Sequence, residues 1–331
     1  MFNDKVILVT GGTGSFGKKF VATVLKKFRP RKLIVFSRDE LKQFEMQQVF
    51  NEDKYPPIRY FLGDIRDKDR LYRAFEGVDI IVHAAALKQV PALEYNPFEA
   101  VQTNILGAQN IINAAIDTRV ERLIALSTDK AVGPANLYGA TKLCMEKLFI
   151  SANAYAGTNV TRFSAVRYGN VVGSRGSVIP LFLKQKASGK FTVTDKRMTR
   201  FWITLDEGVN LVLNGLKLMK GGEIFIPKIP SAKMMDICAA IGPECKVEII
   251  GIRPGEKLHE TLISEDEARH TYDAGEHYII CSPSVSWTRR IIGRKKSVPE
   301  GFVYSSDRND QWLSASEIRD IVDKQKINMN V

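Results

Sequence analysis

From residue 5 onward, short runs of β-branched and aliphatic residues alternate with amphipathic stretches. KVILVT, KLIVFS, IRYFLGD, VDIIVHAA, RLIALSTD and TRFSAVRYGN read as strands. Between them, helical spacing predicts helices over about Phe16 to Phe28, Asp39 to Val49, Lys68 to Phe75, Phe98 to Ala115 and Tyr138 to Tyr155. Strands alternating with helices at this spacing predict βαβ units, and therefore an α/β, doubly wound parallel sheet with helices on both faces. After Arg167 the rhythm loosens, with Gly169, Gly173, Gly176, Pro180, Gly189, Pro227, Pro230, Pro254 and Gly255 breaking the pattern. A smaller C-terminal lobe of loops and short elements is expected there. FWITLDEGVNLVLNGL still reads as a strand and helix returning to the first unit. The expected division is 1–166 plus about 202–228 for the sheet domain, and 167–201 plus 229–331 for the second lobe.

A chain of 331 residues can bury a large core, and 44% hydrophobic with 26% charged residues excludes a mostly disordered or fibrous protein. The net charge of +11 (48 − 37) raises the question of polyanionic partners. The basic residues are scattered (Lys18, Lys19, Lys26, Lys27, Arg29, Arg31 and Lys32 early; Arg289, Arg290, Arg294, Lys295 and Lys296 late), with no nucleic-acid-binding motif beside them. No nucleic-acid partner is expected; a phosphate-rich cofactor and substrate can use part of the charge. The first apolar run is too short for a signal peptide, and no stretch is long enough to cross a bilayer, so a cytoplasmic address and no membrane partner are expected. Cys144, Cys238, Cys245 and Cys281 show no CxxC spacing, and the four histidines form no paired pattern, so neither a disulfide framework nor a metal is expected.

Directly after the first strand comes TGGTGSFG, in which Gly11, Gly14 and Gly17 stand three apart and lead into a helix, together with Thr13, Ser15 and Phe16. Such glycines serve a tight turn, backbone approach to a pyrophosphate, and close packing of helix on strand. With a strand before, a helix after and a second strand at KLIVF, the pattern predicts dinucleotide binding. At the end of the second strand, where an acidic residue would hold a ribose 2′-hydroxyl, stand Ser37 and Arg38. A hydroxyl and a guanidinium favour a 2′-phosphate, hence NADP over NAD, although Asp39 follows immediately. Asp64 and Ile65 are placed to meet the adenine. Ala84 to Ala86 are small enough to let the ribose and diphosphate pass, although close helix packing would also suit them.

Tyr138 and Lys142 lie four apart in LYGATK, on one face of a helix. A lysine ammonium beside the phenol is expected to lower the tyrosine pKa from its reference of about 10, making Tyr138 a base at a sugar hydroxyl. Ser127 and Thr128 end the strand RLIALST, where ligands sit in doubly wound folds.

TGGTGSFG, HAAALKQVP, LSTDKAVGPANLYGATK, RYGNVVGSRGSV, RMTRFWITLDEG and GIRPGEKLHE together resemble the extended short-chain dehydrogenases/reductases of the nucleotide-sugar branch. More narrowly they resemble the inverting UDP-N-acetylglucosamine 4,6-dehydratases of pseudaminic acid biosynthesis, from about residue 4 to about 320. The telling segment is Thr128-Asp129-Lys130: retaining dehydratases carry Asp-Glu here, and 4-epimerases have no such pair. The resemblance implies a Rossmann domain binding NADP, and a C-terminal lobe binding a UDP-sugar. It implies that hydride leaves C-4 of the sugar while Tyr138 takes the hydroxyl proton. Lys130, as a neutral amine, then removes the C-5 proton, and Asp129, protonated, donates to the departing C-6 hydroxyl. Hydride returns to C-6 and a proton adds to the other face of C-5. A lysine neutral at working pH must have its pKa lowered. The resemblance further places Lys88 near the sugar, Asn170 and Arg175, Gly176 and Ser177 on the nucleotide, Thr194 near uracil, Arg200 and Arg253 on the diphosphate, and Asn309 over the nucleotide. It also implies a homo-oligomer, with a hexamer as the guess, and flagellin decoration as the destination of the product. Met198, Trp202 and Met234 are expected in the core. A capsule or O-antigen dehydratase/5-epimerase and a non-catalytic NADP-binding regulator stand as alternatives.

Overall fold

The computed structural model describes residues 1–157, 161–173, 178–282, 293 and 295–329, with side chains as far as Lys324. Six strands, β1 (Val6–Thr10), β2 (Lys32–Ser37), β3 (Ile58–Leu62), β4 (Ile80–His83), β5 (Arg122–Thr128) and β6 (Arg162–Tyr168), lie parallel in the order β3-β2-β1-β4-β5-β6. Every residue of β1 and β4 is buried, as their unbroken apolar runs require of strands covered on both faces. The helices are α1 (Ser15–Lys27), α2 (Glu40–Val49), α3 (Lys68–Phe75), α4 (Val90–Tyr95), α5 (Pro97–Ala100), α6 (Gly107–Asp117) and α7 (Leu137–Tyr155). Phe20, Val21 and Val24 of α1 pack with Val212 and Leu216 of the helix Leu205–Leu218 on one face of the sheet. Leu71 and Phe75 of α3, Ile111 and Ile112 of α6 and Met145 and Phe149 of α7 fill the other.

The strand Glu223–Pro227 joins the sheet parallel to β6, and the hairpin formed by Thr271–Asp273 and His277–Cys281 continues it in antiparallel sense. The sequence reading assigned this hairpin to the second lobe. It belongs to the main sheet, because Glu223–Pro227 would otherwise leave a buried edge unpaired. The single helix expected over Phe98 to Ala115 is also different. It is broken into α5, a π-helical stretch Val101–Leu106, and α6. The wider turn buries Asn104, whose amide clasps both main-chain groups of Leu87, accepting from N–H at 2.9 Å and donating to the carbonyl at 2.9 Å. Its Nδ2 also donates to Thr141 of α7 at 3.0 Å. A π-turn at such a place commonly marks a functional site.

The second lobe has its own core, in which Met198, Trp202 and Met234 are buried among Phe182, Phe191 and Ile237. Its strands Asn170–Val171, Thr199–Ile203 and Ser231–Lys233 form one small sheet, and Thr261–Ile263 pairs with Tyr304–Ser305. Arg167, at the end of β6, ties the lobes together. Its fully buried guanidinium pairs with Glu146 of α7 at 2.6 Å and with Glu267 of the second lobe at 2.8 Å, and donates to the Leu262 carbonyl at 2.9 Å. Among the described residues no helix is long and apolar enough to cross a membrane, and no group of three or more His, Cys, Asp or Glu side chains is arranged to hold a metal ion.

Candidate active site

A cleft of about 660 Å³ runs across the carboxyl ends of the parallel strands, the place where such sheets take ligands. One end is walled by backbone and small side chains. The loop after β1 contributes Gly11, Thr13, Gly14, Ser15, Phe16 and Gly17, the end of β2 contributes Ser37 and Arg38, the segment after β3 Asp64 and Ile65, and the segment after β4 Ala84 to Ala86. Gly11 has φ +64°, and a Cβ there would stand 2.8 Å from the Ala85 nitrogen, so only glycine lets the two loops approach. The first turn of α1 has Gly14 as its N-cap, with no side-chain cap and no acidic residue. Its N–H groups, which no side chain caps among the described residues, are therefore available to a diphosphate. Ser127 Oγ and Thr103 Oγ1, both on the cleft wall, are buried hydroxyls with no hydrogen-bond partner among the described residues. These features fit a bound dinucleotide. At the ribose end Lys42 joins Ser37 and Arg38; Asp39 caps α2 by accepting from the Lys42 N–H at 3.0 Å, and its carboxylate also meets the Lys42 ammonium. Arg38 reaches Asp64 at 3.4 Å.

At the other end the chain turns sharply after β5. Thr128 caps a short 3₁₀ turn over Asp129–Ala131, and Asn136 caps α7 by accepting from the Gly139 N–H at 2.8 Å. A Cβ on Gly139 would run into the Lys130 carbonyl, so this glycine lets α7 pack directly on the turn. The turn and α7 thus bring Thr128, Lys130, Tyr138 and Lys142 to the cleft wall, joined by Lys88 and Asn170. Asp129 is not on that wall; it is fully buried behind it. It meets the cleft through two neighbours, Thr128 Oγ1 at 2.8 Å and Lys130 Nζ at 2.9 Å, both against its Oδ1. Asn170 Oδ1 accepts from Lys130 at 3.3 Å.

Two electrostatic expectations are corrected. Tyr138 is not made acidic by Lys142: burial dominates and pushes the phenol up to about 12, with Lys130 and a hydrogen bond from Thr128 opposing it. The Lys142 ammonium instead donates to the Leu126 carbonyl at 2.6 Å, and burial brings it down to about 8. Lys130 is not held neutral. Burial works to lower its pKa, but the charges of Asp129 and Glu260 outweigh it and hold the ammonium above the ordinary lysine range. Burial raises the Asp129 carboxyl, reinforced by the Glu260 charge and only partly opposed by Lys130, in the direction required of a proton donor.

The remaining expected residues lie elsewhere. Arg200 is buried and its guanidinium donates to the carbonyls of Thr199, Leu258 and Lys257, with Glu260 3.6 Å from its Nε. Thr194 is half-buried with its hydroxyl 3.3 Å from Met198 Sδ, and Asn309 donates to the Ile229 carbonyl at 2.8 Å and to Ser231 at 3.0 Å. Arg253 is exposed; its main-chain N–H donates to the Glu256 carboxylate at 3.3 Å, and among the described residues no ion pair joins their side chains. Arg175, Gly176 and Ser177 lie outside the described residues. Sequence reasoning missed Asn104 and Glu260, the latter visible only as the last letter of GEKLHE, together with Tyr168 and Leu205 on the cleft wall.

The sequence profile of the polysaccharide biosynthesis proteins matches residues 7–282. The chain belongs to this family. As a family member of the extended short-chain dehydrogenase/reductase type, it is 53% identical over 332 aligned residues to a Campylobacter jejuni protein named UDP-N-acetylglucosamine 4,6-dehydratase (inverting), covering 97% of this chain and 98% of the relative. A Rickettsia canadensis relative named UDP-glucose 4-epimerase is 39% identical, covering 97% and 96%. Among solved structures, Pen from Bacillus thuringiensis superimposes with a TM-score of 0.89 at 41% identity, covering 99% of each chain.

Proposed function

We propose that this family member is an NADP-dependent UDP-N-acetylglucosamine 4,6-dehydratase that inverts C-5. The product is UDP-2-acetamido-2,6-dideoxy-β-L-arabino-hex-4-ulose. The observation that carries the reading is the Asp129–Lys130 pair at the end of β5, in which Lys130 lines the cleft beside Tyr138 and Asp129 is buried directly behind it. An epimerase that only moves hydride at C-4 needs no such pair.

A nicotinamide cofactor, which the glycine loop after β1 and the Tyr138–Lys142 face of α7 would hold, would supply reversible hydride acceptance beside the sugar. Tyr138 accepts the C-4 hydroxyl proton as its phenolate, and Thr128 orients it. The 4-keto group then acidifies the C-5 proton, which Lys130 removes after passing its own proton to Asp129, 2.9 Å away. Asp129 supplies the proton that leaves with the C-6 hydroxyl. Because Asp129 is buried, that proton travels through the Thr128 hydroxyl, which touches both Asp129 and the cleft. Lys142 orients the cofactor ribose. Ser37, Arg38 and Lys42 favour a 2′-phosphate, supporting NADP over NAD. Lys88 and Asn170 meet the sugar and nucleotide, with Arg175, Gly176, Ser177, Thr194, Arg253 and Asn309 completing the UDP site. The chemistry suits the first step of pseudaminic acid biosynthesis, in the cytoplasm and in a homo-oligomer. Arg200, engaged by Glu260 and main-chain carbonyls, is assigned to hold Glu260 rather than the diphosphate.

The test is turnover of UDP-N-acetylglucosamine by the purified full chain, followed by mass spectrometry, with the copurified cofactor identified after acid release. A product lighter by one water and a 2′-phosphorylated cofactor support the reading. A 4-epimer of unchanged mass would instead assign the activity named for the Rickettsia relative.

A further inference from the structure

The amino ends of the parallel strands form the face opposite the cleft, and positive charge gathers there. Helix α1 ends on this face with Lys27, followed by Arg29; Arg122 begins β5 and Arg162 begins β6. Lys217, in the last turn of the helix Leu205–Leu218, and Lys220, just beyond it, complete the set. The patch is continuous. Lys27 donates to Asn210 of that helix at 3.4 Å, and Arg122 donates to its Leu216 carbonyl at 2.6 Å. The Arg29 N–H donates to Asn3 at 2.9 Å, and the Arg162 N–H donates to the Glu121 carbonyl at 3.1 Å. A Cβ on Gly221, next to Lys220, would stand 3.6 Å from the Arg162 Cβ.

None of these six cations is paired with a carboxylate among the described residues. Two acids of the same face, Asp79 and Glu121, are already engaged by Lys5, with Arg31 3.8 Å from Asp79. A third, the exposed Asp4, lies beside Arg29, whose carbonyl accepts from its N–H at 3.0 Å. Lysines at a helix end ordinarily answer the helix dipole, which accounts for Lys27 and Lys217 singly. It does not account for arginines at strand starts, because a sheet has little net dipole.

Two large nonpolar side chains are exposed at the same end of the molecule, Leu218 at 46% and Tyr155, the last residue of α7, at 54%. The end of α7 reaches the patch through Asn153, which donates to the Phe163 carbonyl beside Arg162 at 2.9 Å. The cations stand on the ends of strands and helices, spread across a face rather than along a channel that a nucleic-acid backbone could follow. Cations around an exposed leucine and a tyrosine match the headgroup zone of a bilayer, where ammonium and guanidinium groups meet lipid phosphates, a phenol lies at the interface and an aliphatic tip enters the acyl boundary. We propose that the face at the amino ends of the strands docks the protein peripherally on an anionic lipid bilayer. Such docking needs no membrane-crossing helix, and the described residues contain none. The cleft, at the opposite ends of the strands, stays open to soluble ligands. Docking on this face does not depend on which nucleotide-sugar reaction the cleft performs.

The test is co-sedimentation of the full chain with vesicles of neutral phosphatidylcholine, and of the same lipid carrying about 30% phosphatidylglycerol, in about 0.1 M and about 0.5 M salt. Binding is expected to the anionic vesicles only, and to be lost at the higher salt. The triple variant Arg162→Glu, Lys217→Glu, Lys220→Glu should bind them about 100-fold more weakly, at about fivefold for each cation lost. A control with Lys184→Glu, Lys246→Glu and Lys324→Glu, exposed lysines of the second lobe, has the same net charge and should bind within about threefold of the parent. Thermal melting checks that each variant is folded. Failure of the parent to bind anionic vesicles at the lower salt overturns the proposal, whether or not either variant folds. Equal loss in the two triple variants also overturns it, because net charge rather than this face would then be responsible. A parent that binds single-stranded RNA more tightly than anionic vesicles at equal phosphate, and loses that binding in the Arg162 set, would assign the face to nucleic acid and overturn it as well.

Discussion

At the dinucleotide end of the cleft the protein works with backbone: a left-handed Gly11, an uncapped helix start and alanines that let two loops nearly touch. At the sugar end it works with buried charge, where Asp129, Lys130, Glu260 and Arg200 compensate one another across two lobes. The first end recognises by shape and by fixed N–H dipoles that have no protonation state to lose. The second depends on where a few protons reside, which burial and neighbouring charges decide. One end is thus sensitive to a methyl group, and the other to a single charge.

The contrast is broken most severely at Lys130. Lys130→Met should lower turnover by about 10³-fold or more, the scale of a lost general base, while the copurified nicotinamide absorbance stays at parental stoichiometry. Equal loss of cofactor would mean that the two ends are not separable. Arg167→Met removes the cation between Glu146 and Glu267 and should cost about 3–5 kcal/mol, read by chemical denaturation, because Glu146 is left buried without a partner. Gly11→Ala should behave oppositely to Lys130→Met. Its strain of about 1–3 kcal/mol falls on the cofactor loop, lowering cofactor occupancy and melting temperature together. Lys142 allows a test by pH. Its pKa falls from 10.5 to about 8 on folding, so between those values the unfolded chain binds a proton that the folded chain lacks. This lysine therefore makes stability rise with pH through that window and weakens the fold below it. Thermal melts should show Lys142→Met gaining most over the parent below the window, with the advantage shrinking as pH rises. The smallest effect is expected from Arg38→Ala, which should weaken NADP by about tenfold in a binding titration and leave NAD unchanged, the scale of one charge-assisted hydrogen bond.

The same division governs what the sequence alone made legible. Gly11, Gly14 and Gly17, the acid-free helix start after them and the YxxxK spacing of Tyr138 and Lys142 are local patterns, and each lies on the cleft. The protonation of these groups is not local. Lys130 has a sequence neighbour, Asp129, but its second carboxylate comes from Glu260, far along the chain, and its position depends on how the second lobe packs. The expected lowering of Tyr138 failed for the same reason: spacing revealed the lysine but not the depth of burial, and burial prevails. The break in the helix over Phe98 to Ala115 was hidden because a π-turn keeps nearly helical apolar spacing. Only the inward turn of Asn104 onto Leu87 shows why it is there. The hairpin Thr271–Asp273 and His277–Cys281 was misassigned because short strands carry too little pattern to say which sheet they extend.

The most direct measurement is proton NMR of the reaction on UDP-N-acetylglucosamine in heavy water. We expect one deuterium at C-5, a 6-deoxy-4-keto sugar and the couplings of the β-L-arabino configuration. A product deuterated at C-5 but retaining the D-configuration would contradict the role given to Lys130, and a sugar changed only at C-4 with its C-5 proton intact would contradict elimination altogether.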